Sequence, residues 1–365
     1  MTADTIGGVW TYAVDLIRAL SRRHVRVHLV TFGKRPSPTQ RREIANIASL
    51  SVTATTYQLE WMDNPWRDIT AASALLQAIA EADQPDLVHL NQFCFGAQQW
   101  GAPVLVVGHS CVTTWMRAVR GEGGSGDRRW ARYRQHVHDG IHGADCFVAP
   151  TGAMLQGFAR CYGAHAWSQA IHNGRDASRF APAPKRPFVF AAGRVWDEAK
   201  NLALLDAIAP RLAWPTLIAG ATRSPTGRET RPEHARGLGP LPPAVVARYM
   251  ARAPIYALPA RYEPFGLSAV EAALSGAALV LGDISTLREV WADAAVFVDP
   301  DDAEALADVI NRLIAHPAQR LDYAQAAQLR ARRYTAERIA ERYLDLYNRL
   351  RERRRAPAAP ARESA

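Results

Sequence analysis

Two carboxylates, Glu263 and Glu271, bracket Phe265-Gly266 in the stretch ARYEPFGLSAVEAALSGAALVLGD, with seven residues between them. A glycine there lets backbone approach a ligand. A helix beginning near Leu267 offers unpaired N–H groups and the positive end of its dipole to an anion. The turn from Phe265 through Gly266 and Leu267 to Ser268 is therefore phosphate-shaped, and Glu263 and Glu271 are placed to accept hydrogen bonds from sugar hydroxyls on either side of it. The same letters permit a plainer role. Ser268-Ala-Val-Glu271 fits a capping box, which would only fasten the helix start.

A second stretch, FVFAAGRVWDEAKNL, ends an apolar run in Gly193-Arg194 and places Lys200 six residues further on. A planar guanidinium and a mobile ammonium at the mouth of a strand-to-helix connection suit a diphosphate, whose charge as a leaving group needs such neutralisation. An exposed helix start in which Lys200 pairs with Asp197 or Glu198 would look the same. His109 follows the last glycine of PVLVVGH, and Gly7-Gly8 make a tight bend in TIGGVW whose N–H groups can meet a ligand. A strand-end histidine also serves structure, and a Gly-Gly bend by itself identifies nothing.

The elements that must carry these residues are legible as short apolar runs, each followed by a helical pattern: VRVHLVTF, PDLVHL, APVLVVGH, ADCFVAP, PFVFAAG, WPTLIAG, APIYALPA, AALVLGD and AAVFVDP. Strands apolar on both faces and alternating with longer segments form parallel sheets covered by helices, so both halves read as doubly wound α/β. In such sheets ligands sit beyond the carboxyl ends of the strands, where the residues above fall. The 365 residues exceed one ordinary core. The expected division is 1–170 for a first domain with a truncated opening strand, 171–187 for a Pro- and charge-rich linker, 188–334 for a second domain, 335–352 for a helix and 353–365 for a disordered basic tail.

Composition excludes several classes. With 48% hydrophobic and 22% charged residues the chain is globular rather than disordered or fibrous. No apolar run reaches the roughly 18 residues of a membrane span, and no basic-then-apolar leader opens the chain, so a cytoplasmic protein is expected. Cys94, Cys111, Cys146 and Cys161 form no C-x-x-C pair, which argues against zinc and against a disulfide framework. Of the net charge of +9, Arg349 to Ala365 supplies six Arg against two Glu. Much of the excess is thus a tail, and nucleic acid is not an expected partner.

Taken together and in order, the E-x7-E element with its F-G, the G-R-x5-K element, the early G-G, the strand-end His and N-G-x-D-x-x-x-F from Asn173 to Phe180 resemble the retaining nucleotide-sugar glycosyltransferases of family 4. The resemblance runs over nearly the whole chain. It implies the GT-B fold, two Rossmann-like doubly wound parallel-sheet domains facing across a cleft, the first on the acceptor side and the second binding the nucleotide sugar, with the last helix crossing back to the first. By the resemblance, Arg194 and Lys200 bind the donor diphosphate and stabilise the departing phosphate, Glu263 meets the sugar ring, the Phe265–Ser268 backbone holds phosphate, and Glu271 holds the ribose hydroxyls. His109 lies near the transferred sugar, Gly7-Gly8 close over the donor, and Leu241 belongs to a looser match of the base-binding loop.

The activity so implied is transfer of a hexosyl-type sugar from a UDP- or GDP-type donor to a hydroxyl with retention of configuration, in glycan or glycolipid biosynthesis, with no cofactor beyond the nucleotide sugar. Fixed Arg, Lys and N–H groups stabilise a leaving diphosphate without a metal. Asp299-Pro300-Asp301 is read as helix capping rather than metal binding. The acceptor, a glycan, a lipid-linked sugar or a small molecule, is expected on the N-terminal domain, with Trp10, Tyr12, Trp61 and Trp115 as stacking candidates. The basic run Asp127 to Gly140 is either a solvated helix with aromatic anchors or a peripheral contact with an anionic membrane at its inner face, and GEGGSGD before it has the composition of a mobile loop. The competing classes are an inactive or sensory nucleotide-sugar-binding protein and a nucleotide-sugar epimerase. A dehydrogenase lacks its G-x-G-x-x-G.

One feature conflicts with a doubly wound domain, whose first strand is central. Only Met1 to Asp4 precede the glycine bend. The expectation is that Met1 lies inside the strand of a longer natural protein; the alternative is a stub strand formed by MTAD.

Overall fold

The structure, a computed structural model, describes residues 1–121, 128–224 and 227–355. The expected mobile loop, from residue 122, and the expected tail, from residue 356, lie outside the described residues. Arg353–Arg355 are not tail, because they continue the last helix.

In the first half, β1 (Thr2–Asp4), β2 (Val27–Phe32) and β3 (Leu50–Ala54) pair in parallel, and so do β4 (Val88–Leu90), β5 (Val104–Val107), β6 (Cys146–Ala149) and β7 (Ser168–Ala170). The stub is a strand, in register Thr2 to Val30 and Asp4 to Phe32. Asn91 joins it to β4: its N–H donates to Thr2 Oγ1 at 2.9 Å and its Nδ2 to the Thr2 carbonyl at 2.6 Å. The Thr2 hydroxyl and the Asn91 amide thus take on that edge the place of ladder bonds and tie the two sets of strands together.

The second half is a parallel sheet in the order β10 (Arg236–Gly239), β9 (Thr216–Ala219), β8 (Val189–Ala192), β11 (Ile255–Leu258), β12 (Ala278–Gly282) and β13 (Val296–Val298). Every residue of β11 and β12 is buried, as a strand covered by helices on both faces requires. The apolar runs account for β2, β4, β5, β6, β8, β9, β11, β12 and β13. They miss β3, β7 and β10, all edge strands none of whose residues is buried.

The chain crosses between the domains twice, and the crossings lie side by side. The Arg175 N–H donates to the Tyr334 carbonyl, and the Arg175 carbonyl accepts from the Ala336 N–H, both at 3.0 Å. A Cβ on Gly174 would stand 2.7 Å from the Thr335 carbonyl, so only glycine permits this approach. The last helix, Ala336–Arg355, then returns to the first domain and buries Ile339, Tyr343, Leu346, Tyr347 and Leu350 against the helix Gly8–Ser21 and its surroundings. Each such side chain contributes about 1.5–3 kcal/mol. The exposed pairs Arg22–Glu337 and Arg23–Glu341 add less than about 1 kcal/mol each.

Candidate active site

The C-terminal wall of the cleft is assembled by two loops bonded to each other. The N–H groups of Arg261 and Tyr262, after β11, donate to the Ala199 carbonyl, after β8, at 2.9 and 3.3 Å. That seam brings Lys200 against Glu263, whose Oε2 accepts from the ammonium. Oε1 of Glu263 accepts the Gly266 N–H at 3.0 Å, and Thr286 Oγ1 donates to the Glu263 carbonyl at 2.6 Å. Gly266, at φ 88°, turns the chain left-handed into the helix Leu267–Leu274. It is the residue at the cap, with Ser268 already inside the helix, so the capping-box reading of Ser268 and Glu271 does not hold. Glu271 instead binds Arg175, Oε1 to Nε at 2.7 Å.

Arg194 is half-exposed and pairs with buried Asp197 at 2.5 Å, its guanidinium beside the Trp196 ring. Lys200 pairs with neither Asp197 nor Glu198 as the plainer reading supposed; Glu198 pairs with Arg120. The Asp-x-Asp forms turns: Asp299 accepts the Asp301 N–H at 2.9 Å, Asp301 pairs with Arg261 at 2.7 Å, and Asp302 caps the helix Ala303–Ala315.

The N-terminal wall is different. Gly7 caps the helix Gly8–Ser21, and a Cβ on Gly8 would lie 3.9 Å from Leu267 Cδ1. Two helix starts therefore face each other, neither with an acidic residue in its first turn, and their positive ends converge on one place. Asp4, at the end of β1, accepts the Ile6 N–H at 3.0 Å; burial raises its carboxyl, against the pull of Arg194.

His109 Nε2 lies 2.7 Å from Asn91 Oδ1. Because the Asn91 amide already donates to Thr2, its Oδ1 must accept, so His109 carries its proton on Nε2 and keeps Nδ1 as an acceptor. Burial pushes this imidazole down to about 3, which keeps it neutral at physiological pH.

The cleft mouth is closed by hydrogen bonds between the two domains. Tyr262 Oη meets Thr114 Oγ1 at 2.8 Å and donates to Ser110 Oγ at 3.1 Å, while Trp115 Nε1 donates to Asp197 Oδ1 at 3.3 Å. Nearer the crossings, Glu289 accepts the N–H groups of Gly152 and Ala153 at 2.8 Å each and lies 3.1 Å from His172.

Two acceptor candidates are corrected. Trp10 is 4% and Tyr12 1% exposed, the former donating to Glu43 at 2.8 Å and the latter packed edge-on to His109, so neither ring offers a face to a sugar. Trp115 is a strut across the mouth, and Trp61 is a half-buried ring packed on the core. Phe265 is buried, which leaves its backbone toward the site, and Leu241 follows β10, partly buried on the second core. In the basic run, Tyr133 is buried and Arg132 lies over Trp66 at 4.4 Å. The cysteines are free thiols, three of them buried. Asn91, Arg175 and Tyr262 escaped the sequence reading because the partners of each are remote in the chain.

Residues 6–179 match Glycosyltransferase Family 4, and residues 179–330 match Glycosyl transferases group 1. The chain belongs to the family 4 type of GT-B glycosyltransferases. It is 27% identical to a D-inositol 3-phosphate glycosyltransferase of Xylanimonas cellulosilytica, over 96% of this chain and 93% of that protein. Sucrose-phosphate synthase from Thermosynechococcus elongatus shares its fold with a TM-score of 0.79 and 20% identity, over 93% of this chain and 92% of that one. Anabaena HepE, solved in complex with UDP-glucose, shares it with a TM-score of 0.73 and 15% identity, over 96% and 100% of the two chains. Among the described residues of this glycosyltransferase no helix is long and apolar enough to cross a membrane.

Proposed function

We propose that this chain transfers a hexosyl-type sugar from a nucleoside diphosphate sugar to an acceptor hydroxyl, with retention of configuration and without a metal. The observation that carries the reading is the convergence of Arg194, Lys200 and the start of the helix Leu267–Leu274 on one cleft, opposite the start of the helix Gly8–Ser21. Breaking the bond between an anomeric carbon and phosphate leaves growing negative charge on a diphosphate, which the two cations and the N–H groups of the helix start stabilise. Lys200 must leave Glu263 to reach that phosphate, which frees the carboxylate for the sugar ring. The acceptor hydroxyl attacks from the side the phosphate leaves, and the phosphate oxygen takes its proton. His109, neutral, offers Nδ1 to a sugar hydroxyl.

The UDP-glucose complex of Anabaena HepE supports a uridine donor, and the name of the Xylanimonas relative supports a small polyol phosphate as acceptor. Incubation with a panel of UDP-, GDP- and ADP-sugars and candidate acceptors, following release of nucleoside diphosphate, tests this. Turnover that survives EDTA and is lost in Lys200→Ala and Glu263→Ala is expected. Nucleotide binding without turnover on any acceptor would favour a sensor, and loss of turnover in EDTA would overturn the metal-free part.

A further inference from the structure

Arg175 occupies the open position of N-G-x-D, where its backbone joins the two crossings. Its guanidinium is 4% exposed and bridges two carboxylates from different domains, donating to Asp15 on the helix Gly8–Ser21 and meeting Glu271 on the helix Leu267–Leu274 at 2.7 Å. It also lies over the Phe180 ring at 5.3 Å. We infer that Arg175 is a positioning residue for the donor: it holds the Glu271 carboxylate oriented, with Oε2 left for the ribose hydroxyls, and ties that carboxylate to the interdomain crossings. The inference rests on the donor reading above.

The physical argument is desolvation. Burial raises both Asp15 and Glu271, the charge of Asp15 raises Glu271 further, and Arg175 opposes the rise in both. The other groups facing the pair are Arg18, 3.8 Å from Asp15, the Asp176 N–H at 3.4 Å, Arg179, and Tyr256 on β11. Without the guanidinium, two carboxylates share one buried site and a proton binds to relieve them. A protonated carboxyl donates one hydrogen bond and loses acceptor capacity, so its grip on a ribose hydroxyl pair weakens.

Calorimetric binding of UDP, GDP and ADP, each against its 2′,3′-dideoxy counterpart, tests this with the wild type, Arg175→Met and Arg175→Lys between about pH 6 and about pH 8.5. For Arg175→Met, ribonucleotide affinity is expected to fall about tenfold or more while dideoxynucleotide affinity stays within about twofold. The fall should be steeper at the acid end, and Arg175→Lys should recover part of it. If Arg175→Met does not fold, the double variant Asp15→Asn/Arg175→Met leaves a single carboxylate in the site and carries the same ribo-against-dideoxy comparison. Undiminished discrimination at every pH would overturn the positioning role alone. Failure of the wild type to bind any of the three nucleotides would overturn the donor reading and this inference with it.

Discussion

On the C-terminal wall of the cleft, Lys200 is paired with Glu263 and Arg194 with Asp197, whereas on the N-terminal wall Thr2, Asn91 and His109 form a chain of neutral hydrogen bonds. The two walls share one architecture, and both end in a helix start aimed at the cleft. One is furnished with mobile charge, the other with fixed dipoles. On the proposed reaction the difference has a use: paired cations on one side are released to the diphosphate when it arrives, and the neutral amide of Asn91 and imidazole of His109 opposite meet sugar hydroxyls without competing for the charge.

Removing a charge from the C-terminal wall should do the most damage. Lys200→Ala is expected to lower kcat/KM by about 10²–10³-fold, as loss of a transition-state charge partner does, while circular dichroism shows the fold intact; a tenfold effect or less would mean that Arg194 and the helix start suffice. Gly266→Ala comes next, because a Cβ at φ 88° and 3.2 Å from Leu287 should cost about 1–2 kcal/mol in urea unfolding. Tyr262→Phe removes two neutral bonds across the mouth. It should cost about 0.5–1.5 kcal/mol or less and show as a raised donor KM with little change in kcat.

The smallest effect on stability at neutral pH is expected of His109→Asn. The folded imidazole titrates near 3, below its unfolded value of about 6.5, so the stability associated with its neutral form is complete above the unfolded value and drains away as pH falls toward 3. Melting temperatures of the wild type should therefore fall more steeply than those of His109→Asn on the acid side, and the two should run parallel above pH 7. Parallel curves throughout would mean that His109 is solvated and titrates normally.

The charged wall was the legible one. Arg194, Lys200, Glu263 and Glu271 announce themselves because charges at strand ends are costly to bury without a purpose, and their spacing survives in the linear chain. The neutral wall was read less well. Trp10 and Tyr12 look like sugar platforms in a list of aromatics, but their helix is buried on several sides, by the sheet and by the returning Ala336–Arg355 helix. Edge strands β3, β7 and β10 escaped for the converse reason: half-solvated strands need no continuous apolar run.

The amino-acid sequence by itself determined the two doubly wound halves, the strand-end position of the candidate site and the apolar stripe of the last helix, because periodicity and short-range spacing encode them. Tertiary structure alone decided which charge meets which. Lys200 takes Glu263, 63 residues away, rather than nearby Asp197, and Arg175 spans from Asp15 to Glu271. Pairings of that kind depend on desolvation and on how the two domains close, and neither is written in the separation of residues along the chain.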